Sequence, residues 1–63
     1  MKIHDSITVD EVMEAIESGD YIGFCVVCGA EAYSIEPDAR QYECEGCGKP
    51  GVYGAEELLL MMV

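Results

Sequence analysis

Cys25-Val26-Val27-Cys28-Gly29 and Cys44-Glu45-Gly46-Cys47-Gly48 are two copies of one five-residue cassette. Fifteen residues separate Cys28 from Cys44, the C-x2-C…C-x2-C arrangement of a tetrahedral metal site. Two residues between paired thiolates let both sulfurs turn toward one point about 2.3 Å away, as a zinc–sulfur bond requires. The glycine closing each cassette, Gly29 or Gly48, supplies the positive φ of a tight knuckle and lets a backbone N–H point at a ligating sulfur. The spacing assigns Cys25, Cys28, Cys44 and Cys47 as ligands of one shared ion. We expect zinc, with iron as the alternative that a four-thiolate set also accepts.

Other uses of four cysteines compete with this one. Two disulfides would need an oxidising compartment, and the start, Met1-Lys2-Ile3-His4-Asp5, has no apolar segment behind it to act as a secretion signal. A redox C-x-x-C of thioredoxin type would sit in a βαβ unit, for which the chain is short. Four thiolates also complete a tetrahedral shell and leave no open position for water or substrate, so the ion reads as structural and the protein as no enzyme. The lone histidine, His4, is expected to be a solvated side chain outside the ligand set.

At 63 residues the chain is one domain, 1–63, near the lower size limit at which an apolar core alone holds a fold. Its 51% hydrophobic content is too high for intrinsic disorder. A structural zinc supplies about 10–16 kcal/mol in small zinc peptides, as much as the whole stability of an ordinary domain. The net charge is -10, from thirteen acidic residues against Lys2, Arg40 and Lys49. No basic stripe is available to displace counterions, so direct binding of nucleic acid is not expected. The same field repels anionic membrane surfaces. It favours a basic protein partner, although an acidic surface serves solubility too. The apolar run Leu58–Val63 is far short of the ~20 residues that span a bilayer. The expected location is the cytoplasm.

Along the chain, Thr8 followed by Glu11 forms a capping box ahead of a helix over 8–19 with its caps, ended by Gly19. Val9, Val12, Met13 and Ile16 make its apolar stripe, with Glu11, Glu14 and Glu17 facing away. The segment 21–53 is predicted to be the metal-bound ribbon. Within it Tyr21–Phe24 leads into the first knuckle as a strand. Ala32–Ile35 and Arg40–Glu43 are predicted to form a hairpin across the turn Glu36-Pro37-Asp38-Ala39, with Tyr33 and Tyr42 as a cross-strand pair. That hairpin is expected to carry the two knuckles side by side. Val52-Tyr53 adds a short strand, and 54–63 forms a C-terminal helix opened by Glu56 and Glu57. Leu58, Leu59 and Met62 line one of its faces, yet Leu60, Met61 and Val63 are apolar too. The surplus points either to a docked helix or to a contact with a partner or a second copy, giving a monomer or a weak homodimer. The fold class read from these signals is a small α+β metal-bound domain, a zinc ribbon with an N-terminal and a short C-terminal helix.

Three stretches carry a family resemblance: Gly23-Phe24-Cys25-x-x-Cys28-Gly29-Ala30-Glu31-Ala32-Tyr33, Glu36-Pro37-Asp38-Ala39-Arg40-x-Tyr42-Glu43-Cys44, and Val52-Tyr53-Gly54-Ala55-Glu56-Glu57-Leu58-Leu59. Through them the chain resembles a group of small, acidic, uncharacterised zinc-ribbon proteins of bacteria and bacteriophages. The resemblance implies a ribbon with four cysteine ligands and flanking helices, and no established activity. More loosely, the two Cys-x-x-Cys-Gly loops, acidic balance and aromatic residues are similar to rubredoxin-like domains. That likeness implies that Cys25, Cys28, Cys44 and Cys47 hold iron and pass one electron. The chain departs from rubredoxin at Glu45, where a proline is usual, and in its long N-terminal helix. The function expected is a zinc-stabilised protein-interaction module, with the iron electron carrier as the alternative.

Overall fold

A computed structural model describes residues 3–62; Met1, Lys2 and Val63, to which the expected helix end and one of the three basic charges belong, lie outside the described residues. The element order is α1 (Val9–Ser18), β1 (Gly23–Cys25), β2 (Glu31–Ala32), β3 (Val52–Gly54) and α2 (Ala55–Met62). The architecture is α+β, with two helices and a three-stranded antiparallel sheet in the order β2-β1-β3.

Helix α1 starts as the sequence predicts. Thr8 is extended at the cap, and its hydroxyl oxygen accepts a hydrogen bond of 3.2 Å from the Glu11 amide. The box is only half formed, because the Glu11 carboxylate accepts a hydrogen bond from the Thr8 hydroxyl (3.3 Å) and not from the Thr8 amide. Gly19 ends the helix in the left-handed region at φ 70. The buried face is rotated from the predicted stripe. Val12 and Ala15 are buried and Ile16 half-buried, while Val9 and Met13 stay exposed. Ala15, outside the predicted stripe, is buried on the core face in the same cluster as Ala55 and Leu58 of α2.

The sheet is made of very short strands held by non-local pairing. Gly23 lies opposite Gly54, Phe24 opposite Tyr53 and Cys25 opposite Val52; on its other side β1 pairs Gly23 with Ala32 and Phe24 with Glu31. Alternation then sorts the side chains onto two faces. Phe24 and Tyr53 join Ile7, Val12, Ala15 and Leu58 in an aliphatic core under the helices. Cys25 and Val52 join Cys44 in a second cluster on the opposite face.

The predicted hairpin between Ala32–Ile35 and Arg40–Glu43 is absent, and so is the Tyr33–Tyr42 pair. β2 stops at Ala32, Ser34 and Gln41 take left-handed conformations (φ 59 and 54), and Tyr42 bridges to Val52 instead. A left-handed residue breaks the extended path that a ladder needs, at a cost of about 1–2 kcal/mol for a side chain with a Cβ. The two tyrosines bond separately, Tyr33 to Glu31 (3.4 Å) and Tyr42 to Glu36 (2.9 Å). The bond from Glu36 and its nearby negative charge hold the Tyr42 phenol above its usual pKa.

The loop 36–41 instead packs on the junction between β3 and α2. The Gly54 amide donates to Ala39 O (3.0 Å), and the Glu57 amide, free at the helix start, donates to Pro37 O (3.1 Å). Arg40 pairs with Glu57 at 2.9 Å across the same contact. The backbone comes so close that a Cβ on Gly54 would overlap the carbonyls of Glu36 and Pro37. Along α2, Leu58 is fully buried, Leu59, Met61 and Met62 are half-buried, and Leu60 is 72% exposed.

Gly54→Ala should therefore destabilise the metal-loaded protein by about 1–3 kcal/mol, lowering its melting temperature by roughly 5 °C or more. Gly46→Ala is the matched control, since its added carbon meets only Cys44 Sγ at an ordinary 3.6 Å. Equal melting curves for the two variants would contradict the close packing of the 36–41 loop.

Candidate metal centre

Each cassette folds into the same knuckle. The Gly29 amide donates to Cys25 O and the Gly48 amide to Cys44 O, both at 2.8 Å. The Cys25 amide donates to Ala30 O and the Cys44 amide to Lys49 O, both at 2.9 Å. Gly29 and Gly48 take φ 82 and 77, the left-handed conformation expected of them. Local sequence thus builds two copies of one loop, each presenting two sulfurs.

The sheet brings the copies together. The first knuckle leaves the end of β1, and the second returns to the start of β3 through the Tyr42–Val52 bridge. Pairing β1 with β3 sets Cys25 opposite Val52, and the Val26 amide reaches Gly51 O at 2.8 Å. Gly51 has no room for a side chain: a Cβ there would lie 2.9 Å from Val27 Cγ2 and 3.1 Å from Cys25 Sγ. The closing contact joins β1, before the first knuckle, to β3, after the second, and not the two segments between the knuckles that were predicted to pair.

All four Sγ atoms lie within 4.8 Å of one another, with Cys25–Cys47 and Cys28–Cys44 each at 3.7 Å. Four sulfurs about 2.3 Å from one tetrahedral centre are about 3.8 Å apart, so the set fits a single ion. A disulfide would hold its sulfurs about 2.05 Å apart, and all four cysteines are free thiols. Cys25 and Cys44 are buried beside Val52, whereas Cys28 and Cys47 face outward. The site is dry on the side of the sheet and open on the other.

The thiols differ in their tendency to ionise. The amides of Cys47 (3.5 Å) and Gly46 (3.3 Å) point at the Cys44 sulfur and bring its pKa down to about 7. At Cys28 the Ala30 amide favours the thiolate, but burial and the three neighbouring thiols outweigh it and push the pKa up to about 12. Without a cation this cluster resists collecting several negative charges. A bound ion reverses that balance, since coordination deprotonates a thiol outright.

One neighbour of the site had no signal in the sequence. The N-terminal turn folds back over the first knuckle, where the His4 amide donates to Val26 O (2.9 Å). The Ser6 amide donates to His4 Nδ1 (3.1 Å), and Ser6 Oγ lies 2.8 Å from the same nitrogen. A Cβ on Gly29 would run into Ser6 Oγ and His4 Nδ1. His4 is thus solvent-exposed, as expected, yet packed against the knuckle; it does not join the cysteine cluster.

The chain matches no family model, no curated protein and no solved structure. What the centre can do follows from its own atoms: four soft donors, two buried and two outward, around a point suited to one soft or borderline cation.

Ligation requires thiolates, so protons compete with the ion. Lowering the pH from about 8 to about 5 should empty the site, because protons outcompete the ion for the four sulfurs as the solution becomes acidic. Metal content after gel filtration at each pH measures this. Full occupancy at pH 5 would rule out a four-thiolate centre. Excess chelator at neutral pH should unfold at least the 21–53 segment, read as collapse of its amide dispersion in NMR spectra.

Proposed function

We propose that the protein is a zinc ribbon whose ion is structural and whose surface serves as a protein-interaction module. The observation that carries the reading is the cluster of four sulfurs, which around one ion would complete a tetrahedral shell and leave no coordination position for substrate. It is supported by the thinness of the layer around the sulfurs, three buried residues of which two are the cysteines themselves. A layer so small holds its shape only with the binding energy of an ion. The reading also agrees with the resemblance to small acidic zinc-ribbon proteins. The proposal assigns no catalysis to the chain.

Four free thiols point to a reducing compartment, and we place the protein in the cytoplasm. No helix among the described residues is long and apolar enough to cross a membrane. The net charge of -10 favours a basic protein over nucleic acid as the partner. The exposed Leu60 on α2 offers a small apolar contact, by which a weak homodimer forms at high concentration.

A one-electron iron carrier is the second reading. The outward position of Cys28 and Cys47 favours it, because an exposed sulfur gives an electron a short path to a partner. The native metal decides between the two. Untagged protein purified from its own cells should be colourless and carry one zinc per chain by elemental analysis, together with a co-eluting protein. A red iron form that is reduced and reoxidised reversibly would replace the module with the carrier.

A further inference from the structure

The unpaired side of the sheet has a composition of its own. β2 is an outer strand, bonded only to β1, whereas the outer side of β3 is covered by Tyr42. A groove runs along each face of β2. On the helix face a groove of about 240 Å³ has Ala15, Ile22 and Phe24 in its floor and Glu11, Glu14 and Asp20 on its rim. On the sulfur face a groove of about 210 Å³ lies between β2 and the second knuckle, with Ala32 and Ile35 below and Glu43 and Glu45 beside it. Glu31 borders both grooves. Tyr33, 69% exposed, also borders the second and bonds the Glu31 carboxylate at 3.4 Å.

Among the described residues no basic side chain lines either groove. Of the two basic side chains among the described residues, Arg40 is paired with Glu57 on α2 and Lys49 belongs to the second knuckle. Charged side chains on an edge strand commonly block pairing with other strands. That purpose needs a charge on the edge, but not an apolar-floored groove on each side of it. An apolar floor under an acidic rim fits a side chain with a long aliphatic stem and a cationic head, as in arginine and lysine. An exposed tyrosine ring is a further surface on which a guanidinium can stack.

We propose that an extended basic segment of a partner protein lies along β2 and sends one cationic side chain into each groove, with Glu31 shared between them. This deepens the interaction-module reading and rests on it. The geometry also sets the order of the residues. Successive side chains of an extended segment point to opposite faces, so the two cations must be neighbours in the partner's sequence. Two arginines separated by one residue would point to the same face and fill only one groove.

The test uses the full, metal-loaded protein and two peptides of identical composition, Gly-Ser-Arg-Arg-Gly-Ser and Gly-Arg-Ser-Arg-Gly-Ser, followed by NMR titration. The adjacent-arginine peptide should bind about fivefold more tightly than its isomer and shift the amides of Glu31, Ala32 and Tyr33. Glu31→Gln should weaken it about fivefold, whereas Glu56→Gln, an equal loss of charge on α2 away from both grooves, should change binding less than about twofold. Equal binding of the two peptides, equal effects of the two substitutions, or the same shifts with spermine would reduce the attraction to net charge and overturn the proposal. A partner recovered with the native zinc protein but insensitive to Glu31→Gln would remove this docking site and leave the module reading standing. A native iron carrier would remove the module itself.

Discussion

Convergence of four sulfurs on one point is the constraint that the rest of this molecule serves. Each pair of sulfurs is set locally by a five-residue knuckle, but the two knuckles meet only because β1 pairs with β3. The sheet therefore works as a partition. Phe24 and Tyr53 turn to the aliphatic core, and Cys25 and Val52 turn to the sulfurs. The helix side buries eight core residues, and the sulfur side three. Burying one apolar side chain contributes about 1.5–3 kcal/mol, so the sulfur side is too thin to hold the ribbon segment by itself. An ion held by four thiolates contributes more than that whole cluster. The differing ionisation of Cys44 and Cys28 fits this division, because the bare cluster disfavours the charges that a cation would require.

Helix α1, both knuckles and α2 were legible in the sequence because each is fixed by neighbours within a few positions. Thr8 and Gly19 bound one helix, and Gly29 and Gly48 close the knuckles. What joins the pieces was not legible. Gly23–Cys25 and Val52–Gly54 are three residues each, too short for an alternating pattern, and 26 residues lie between them. Glu36-Pro37-Asp38-Ala39 does form a turn, but its flanks are not paired. Left-handed Ser34 and Gln41 divert the chain toward the start of α2, where Pro37 and Ala39 accept backbone bonds. A turn signal identifies a reversal and says nothing of which strands it joins.

The helix faces show the same limit in a milder form. Val9 and Met13 satisfy the helical period as well as Val12 does, yet they remain at the surface. The core side is chosen by what can approach it, and Ala15 allows α2 a close contact that a larger side chain would prevent. In α2 nearly every residue after Glu57 is apolar, so period carries no information. Leu58 is selected only by the position of β3, from which the helix emerges directly.

A metal that completes its own shell behaves as part of the core. On the proposed reading such an ion would supply rigidity, and recognition would fall to the surface around it. The acids on that surface are not equivalent. Glu17 and Glu56 project into water, where a charge is well solvated and recognises little. Glu31 borders both grooves, and its carboxylate accepts a hydrogen bond from the Tyr33 hydroxyl at 3.4 Å. Residues 43–46 of the second knuckle line the groove on the sulfur face of β2. On the proposed reading, metal binding and docking at this edge would be coupled through the position of that knuckle, with no need for the ion to touch the partner.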